Sequence, residues 1–169
     1  MLHDSEMLNL VTAWLPPGGT VLDVGCGSGR MLATLAERGV SGMGIDPFPS
    51  NTEHCRRLRA KEITQLVERF DLVYTRYALH HFEAPQRFPE KARWVLRPHG
   101  VLLIVDWIEG TKMGVSERYF APQTVVGWLC EAGFDLLCQE VRGQSMVIAG
   151  KLPPADVEAG GKTYGAERR

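Results

Sequence analysis

The sequence has almost no net charge, few cysteines and no long hydrophobic run, and each shortage excludes a class of function. Its 169 residues carry 19 basic and 20 acidic side chains, a formal charge of −1. No global field therefore draws the chain to a nucleic-acid backbone or to an anionic membrane surface. No apolar stretch nears the roughly 18 residues that a spanning helix needs, so no membrane span is expected. The opening stretch MLHDSEMLNL places acids early and has no basic segment, which does not read as a secretory signal. The four cysteines, Cys26, Cys55, Cys130 and Cys138, make no C-x-x-C pair and fit no zinc spacing. We read them as reduced thiols of a cytoplasmic protein, filling space as small hydrophobes.

What is present suits one globular domain of ordinary composition, 44% apolar and 23% charged. We place that domain at residues 1–152 and read the Gly-rich polar tail, 153–169, as disordered. Apolar spacing predicts a helix over 5–15, stopped by PPGG at 16–19. TVLDV follows as a buried strand. RMLATLAERG reads as a helix with Gly39 at its C-terminal stop, and SGMGID as a second strand. Strand, glycine turn, helix, strand is a parallel βαβ unit.

The next segment is short. Only 24 residues separate Asp46 from the strand DLVY, and 47–54 read as loop, with no room for a full crossover helix. CRRLRA suits a strand with Leu58 inward, and TQLV a single helical turn. FDLVYTRY is the next strand. PEKARWVLRPHG reads as a helix from Pro89 with Gly100 after its end. VLLIVDW is a strand, and PQTVVGWLCEAGF a helix between Pro122 and Gly133. FDLLCQEVR and SMVIAGKL pair as a hairpin.

The stretch VLDVGCGSGR holds Gly25, Gly27 and Gly29 between the first strand and the second helix. Glycine costs about 0.5–1 kcal/mol relative to alanine in regular structure, so three here imply that something approaches the bare backbone. A phosphate-cradling dinucleotide turn wants G-x-G-x-x-G. Arg30 stands where that third glycine belongs, which disfavours a nicotinamide dehydrogenase. Asp46 ends the second strand, where a carboxylate can accept both hydroxyls of a ribose.

VLDVGCGSGR, GMGIDP, FDLVYTRYALHHF, VLRPHGVLLIVDW and FAPQTVVGWLCEAGF resemble, in order, the successive motifs of class I S-adenosylmethionine-dependent methyltransferases. The subgroup most similar is the methyltransferase type 11 group, which includes the ubiquinone and menaquinone methyltransferases. The resemblance covers roughly residues 8–150. It implies an α/β, Rossmann-like, doubly wound sheet of seven mainly parallel strands, with an antiparallel last strand at 145–152. It also implies S-adenosyl-L-methionine as cofactor. Gly25, Cys26, Gly27 and Gly29 would form the loop against its methionine part, with Asp23 helping to hold the ammonium group. Asp46 would take the ribose hydroxyls and Pro47 pack on the adenine. Glu62, in KEITQL, falls at the family's acidic position for the adenine amino group. The backbone around Thr75 and Arg76 would face the ammonium and the sulfonium. The segment from Asp46 to Glu62 is much shorter than in the family, which opens the adenine side. The usual lid insertions are also reduced.

Displacement at a sulfonium needs alignment above all, and a general base only where the acceptor must lose a proton. YALHHF lines the acceptor side in this family. Its His80 and His81 are the candidates for proton transfer, although such a pair equally serves packing. Tyr77, Asp106, Trp107 and Tyr119 are the candidate substrate contacts. No third ligand beside the two histidines is evident, so no metal is expected. The absence of NPPY or DPPY after FDLVY argues against amino-group methylation of DNA bases or glutamine. Arg56, Arg57, Arg59 and Arg76 read as a solvated basic face. The expected acceptor is a small molecule, with nucleic acid a poor second and a homodimer as a possible way to complete the site. The competing reading is a non-catalytic module that binds the cofactor or its demethylated product.

Overall fold

The computed structural model describes residues 1–50, 53–112 and 117–154. The proposed tail lies almost wholly outside these, since 155–169 are not among them. Seven strands form one sheet in the order β3-β2-β1-β4-β5-β7-β6. β1 (Thr20–Val24), β2 (Ser41–Asp46), β3 (Cys55–Arg57), β4 (Phe70–Arg76) and β5 (Leu96–Trp107) run parallel. β7 (Ser145–Lys151) runs antiparallel to both β5 and β6 (Asp135–Arg142). The strand order reverses between β1 and β4, the place where open α/β sheets bind ligands beyond the carboxyl ends of their strands.

The central strands are apolar on both faces because both faces are covered. Alternate residues serve opposite sides. Val21, Leu72, Tyr74, Leu103 and Val105 pack beneath α1 (Asp4–Trp14) and α2 (Arg30–Ala36). Leu22, Val24, Val73, Leu102 and Ile104 pack with α4 (Pro122–Glu131) and the short α3 (Phe88–Ala92). Gly39 and Gly133 end their helices with φ of 76° and 82°, the left-handed cap read from the sequence. β6 closes the sheet as an edge strand with Leu136, Leu137 and Val141 exposed. No helix among the described residues is long and apolar enough to cross a membrane.

Two sequence expectations fail. The helix read over PEKARWVLRPHG is a single turn and a half, Phe88–Ala92, and Leu96 onward belongs to the sheet. The Val95 carbonyl already accepts the Phe70 amide at 2.8 Å. Pro98 pushes Arg97 out of the helical region, and His99 takes a φ of 64°, so the chain crosses into β5 through a wide irregularity opposite Phe70–Leu72. The turn placed on TQLV instead spans Ala60–Gln65 as a 3₁₀ helix. Glu62 starts it by accepting the Arg59 amide at 2.8 Å, a capping contact that the shortness of the segment had hidden. In the middle segment, described residues 47–50 and 53–54 contain no helix, and β3 is three residues long.

Leu103 is fully buried at the centre of the sheet, whereas Val141 is 54% exposed on the edge. Leu103→Ala should cost about 2–5 kcal/mol in urea unfolding, and Val141→Ala within about 0.5 kcal/mol. Equal losses would contradict this assignment of core and edge.

Candidate active site

The glycine turn leaves β1 and is tied to β2 by two amides. Gly25 and Cys26 both donate to the Ile45 carbonyl, at 2.8 and 3.2 Å. Gly25 holds a φ of 84°, and a Cβ there would sit 2.4 Å from the Cβ of Ala78, just past β4. No side chain fits, so the backbone itself forms the wall at the switch point between β1 and β4. Gly27 (φ 53°) stands in open space, and its amide donates to Asp46 Oδ2 at 3.0 Å.

Gly25 borders two hollows. One, of about 490 Å³, is lined by Ile45, Asp46, Pro47, Phe48, Leu58 and His81, among others. The second, of about 350 Å³, is lined by Asp23, Cys26, Gly27, Arg76, Tyr77 and Met1, among others. Asp46 accepts from the amides of Gly27 and Phe48 (2.8 Å) through separate oxygens, which leaves further lone pairs on each. Glu62 lies outside the larger hollow, in a recess it shares with Pro47 and Phe48, with Oε2 taken by its capping contact.

Asp23 is buried under the second hollow and accepts the Tyr74 hydroxyl at 2.9 Å. Arg76 donates from Nη1 to Asp4 Oδ1 at 2.7 Å and from Nη2 to the Leu2 carbonyl at 2.8 Å. Its Nε is buried without a partner, as is the Thr75 hydroxyl. Asp4 also pairs with Arg30 at 2.9 Å, and the two arginines hold its carboxyl below the usual range, the Arg76 hydrogen bond most of all. The first four residues are thus folded onto the site. No pattern in the sequence announces this, because Asp4 and Arg76 lie 72 residues apart.

The residues past β4 and β5 form a second group. Asp106, 1% exposed, accepts from the His80 amide (3.0 Å), from His80 Nδ1 (2.7 Å) and from the Trp107 amide (2.7 Å). A carboxylate is acceptor only, so Nδ1 carries a proton toward Asp106. Nε2 faces Glu117 Oε2 at 3.5 Å. Tyr119 donates to that same oxygen at 2.6 Å, which pushes its phenol up to about 12. His81 is 60% exposed and stacks on His80 at 4.0 Å. The fold thus supplies a third metal-capable donor that the sequence does not reveal. His80, His81 and Glu117 each place a ligand atom within 4.8 Å of the others. Tyr77, which also borders the second hollow, and Trp107 pack against each other instead. Their rings lie 4.5 Å apart, and the Tyr77 hydroxyl meets Ser145 Oγ (2.8 Å) and the Leu2 amide (2.6 Å).

Residues 5–139 match the profile of a family described as "Methyltransferase domain". A ubiquinone biosynthesis O-methyltransferase of Rhizobium etli is 29% identical over 125 residues, covering 66% of this chain and 50% of that protein. A tRNA U34 carboxymethyltransferase of Shewanella loihica is 31% identical, covering 89% of this chain and 58% of that one. The chain spans about half the length of the curated relatives it matches. Among solved structures, a Burkholderia thailandensis 1,6-didemethyltoxoflavin-N1-methyltransferase with bound S-adenosylhomocysteine superposes with a TM-score of 0.67 at 20% identity, over 89% of this chain and 76% of that one.

Burial pushes Asp23 up to about 7, against the opposing pull of the Tyr74 hydrogen bond and Arg76. In the unfolded chain this carboxyl ionises near 3.8. Between those values the fold binds the extra proton, so stability from this group falls as pH rises from about 4 to 7. Asp23→Asn keeps an acceptor for Tyr74 and removes the titration. Urea unfolding at about pH 4.5 and pH 7.5 should show the stability difference moving against the wild type at the higher pH. A difference that does not change with pH would mean that Asp23 is ionised throughout.

Proposed function

The chain belongs to the methyltransferase-domain family, and on that premise we propose that it binds S-adenosyl-L-methionine across the glycine turn and methylates a hydroxyl group of a small molecule. The observation that carries the reading is Gly25, whose bare backbone borders both hollows at the switch point. A molecule with an adenosine end and an amino-acid end can lie across it. The residues present suit each end. Asp46 offers free lone pairs to a ribose diol, and Pro47, Phe48 and Leu58 offer apolar surface to the adenine. On the other side, the buried Asp23 carboxylate suits an ammonium group, and the Thr75 hydroxyl and Arg76 Nε are unused polar atoms.

The bound cofactor supplies a methyl group on a cationic sulfur. The protein's part is to hold the acceptor in line with it, an effect that can contribute about 7–11 kcal/mol. His80 takes the acceptor's proton at Nε2. Asp106 fixes the tautomer and steadies the imidazolium that forms, the role of an orienting carboxylate behind a base. A built base favours an acceptor that must lose a proton, which a hydroxyl group does.

The tRNA-modifying relative makes RNA the second reading, and the ion pairs speak against it. Arg56 pairs with Glu68, Arg59 and Lys61 with Glu83, and Arg76 with Asp4. Basic groups already neutralised in this way offer little to a phosphate backbone.

Calorimetric titration with S-adenosylhomocysteine should show binding that Asp46→Ala weakens at least tenfold, since a hydrogen bond to a charged group contributes about 1.5–3 kcal/mol. NADH binding in its place would overturn the family's cofactor for this chain. With labelled cofactor and a panel of phenols and catechols, His80→Gln should lower turnover by about 10²–10⁴-fold and leave S-adenosylhomocysteine affinity unchanged. Undiminished turnover would remove His80 as the base. Labelling of tRNA and of no small molecule would favour the second reading.

A further inference from the structure

We propose that Cys26 and Cys55 are a redox modification site, closing to a reversible disulfide by exchange with an oxidised low-molecular-mass thiol. The inference goes beyond methyl transfer, and only its coupling to ligand affinity rests on the cofactor reading above. Cys26 lies between Gly25 and Gly27 in the glycine turn, and Cys55 opens the edge strand β3. Their sulfurs are 2.8 Å apart. A disulfide needs about 2.05 Å, so closure asks for a movement of about 0.8 Å.

The fold leaves room for this pair in particular. Gly44, opposite Cys55 in the β2–β3 register, would with a Cβ meet both Cβ and Sγ of Cys26 at 2.5 Å. A Cβ on Gly29 would sit 3.0 Å from the Cys55 sulfur. Two glycines thus clear the space that the two thiols share. The short connection from β2 is what brings Cys55 here, since only eight residues separate Asp46 from it.

Access sets the order of events. Cys26 is half-buried and lines the hollow beside Asp23 and Arg76, whereas Cys55 is 3% exposed. Cys26 thiolate attacks the small disulfide, forms a mixed disulfide and releases one thiolate. Cys55 thiolate then attacks the Cys26 sulfur and releases the second. In sum, two cysteine thiols are oxidised and one small disulfide is reduced to two thiols, so protons and electrons balance. Burial is the main cause holding both thiols above the ordinary range, and the carboxylates of Asp23 and Asp46 add to it. Thiolate is scarce, so the exchange is slow. The pair answers sustained oxidising conditions rather than a brief pulse. Closure draws Cys26 toward β3 and shifts the amides on either side of it, which form the wall between the two hollows. Displacements of that size are costly in a preorganised site.

The test is to incubate the reduced chain with glutathione disulfide, without cofactor, and follow intact mass and non-reducing peptide maps. The expected product has lost two hydrogens, links the Cys26 and Cys55 peptides, and reverts with dithiothreitol. It should form equally in a Cys130→Ser, Cys138→Ser double variant, and Cys55→Ser should stop at a glutathione adduct on Cys26. Modification of the exposed Cys130 with no Cys26–Cys55 link would overturn the site. The oxidised chain should also bind S-adenosylhomocysteine at least fivefold more weakly than the reduced chain. Equal affinity would overturn the coupling. Failure of the reduced chain to bind at all would instead defeat the cofactor reading.

Discussion

Everything at the functional end of this molecule depends on how closely the backbone after β1 approaches the backbone after β4. A Cβ on Gly25 would lie 2.4 Å from that of Ala78, so a side chain there would force the two segments apart. Because they do meet, the end of β1 can hang from the Ile45 carbonyl, Gly27 can reach the Asp46 carboxylate, and Asp23 is left buried beside the second hollow. The sheet beneath supplies the stiffness. Its central strands are packed on both faces, and side chains held in that way move little.

Around this contact the charges are arranged with little redundancy. Asp46 is held by two amides, Asp23 by one phenol, and Arg76 by Asp4 in the first turn of α1 and by the Leu2 carbonyl. Each polar group thus has a partner, and Asp23, Asp46 and Arg76 each line one of the two hollows. Asp106 is different, since it takes three donors and spends itself on His80 and Trp107. The adenosine and amino-acid side of the site therefore reads as a receptor. We propose that His80, just past β4, acts as a base and that Asp106, near the end of β5, orients it.

Much of this was legible in the sequence, for reasons that differ by element. Glycines at 25, 27 and 29 and an acid at 46 report backbone constraints, which are local and survive without knowledge of tertiary contacts. The helix stops at Gly39 and Gly133 are legible for the same reason. The strand identity of Leu96 to Gly100 was not, because apolar residues at helical spacing decide nothing when a proline and a long-range amide bond from Phe70 to the Val95 carbonyl claim the segment for the sheet. Glu62 shows the opposite difficulty. Its type fits the family's adenine position, yet its carboxylate starts a 3₁₀ turn. Contacts such as Asp4 to Arg76, His80 to Asp106, or Cys26 to Cys55 join segments distant in the chain and carry no local pattern at all.

Family membership narrows the chemistry without choosing the acceptor. Relatives named for an O-methyltransferase and for a tRNA carboxymethyltransferase are both similar to this chain over about half of their own length. The central claim is narrower: the two hollows joined at Gly25 are one cofactor seat. A crystal structure with S-adenosylhomocysteine tests it most directly. The account predicts the ribose hydroxyls on the Asp46 carboxylate, the adenine between Phe48 and Leu58, and the amino group directed at Asp23. A nucleoside bound elsewhere, with Gly25 untouched, would contradict it.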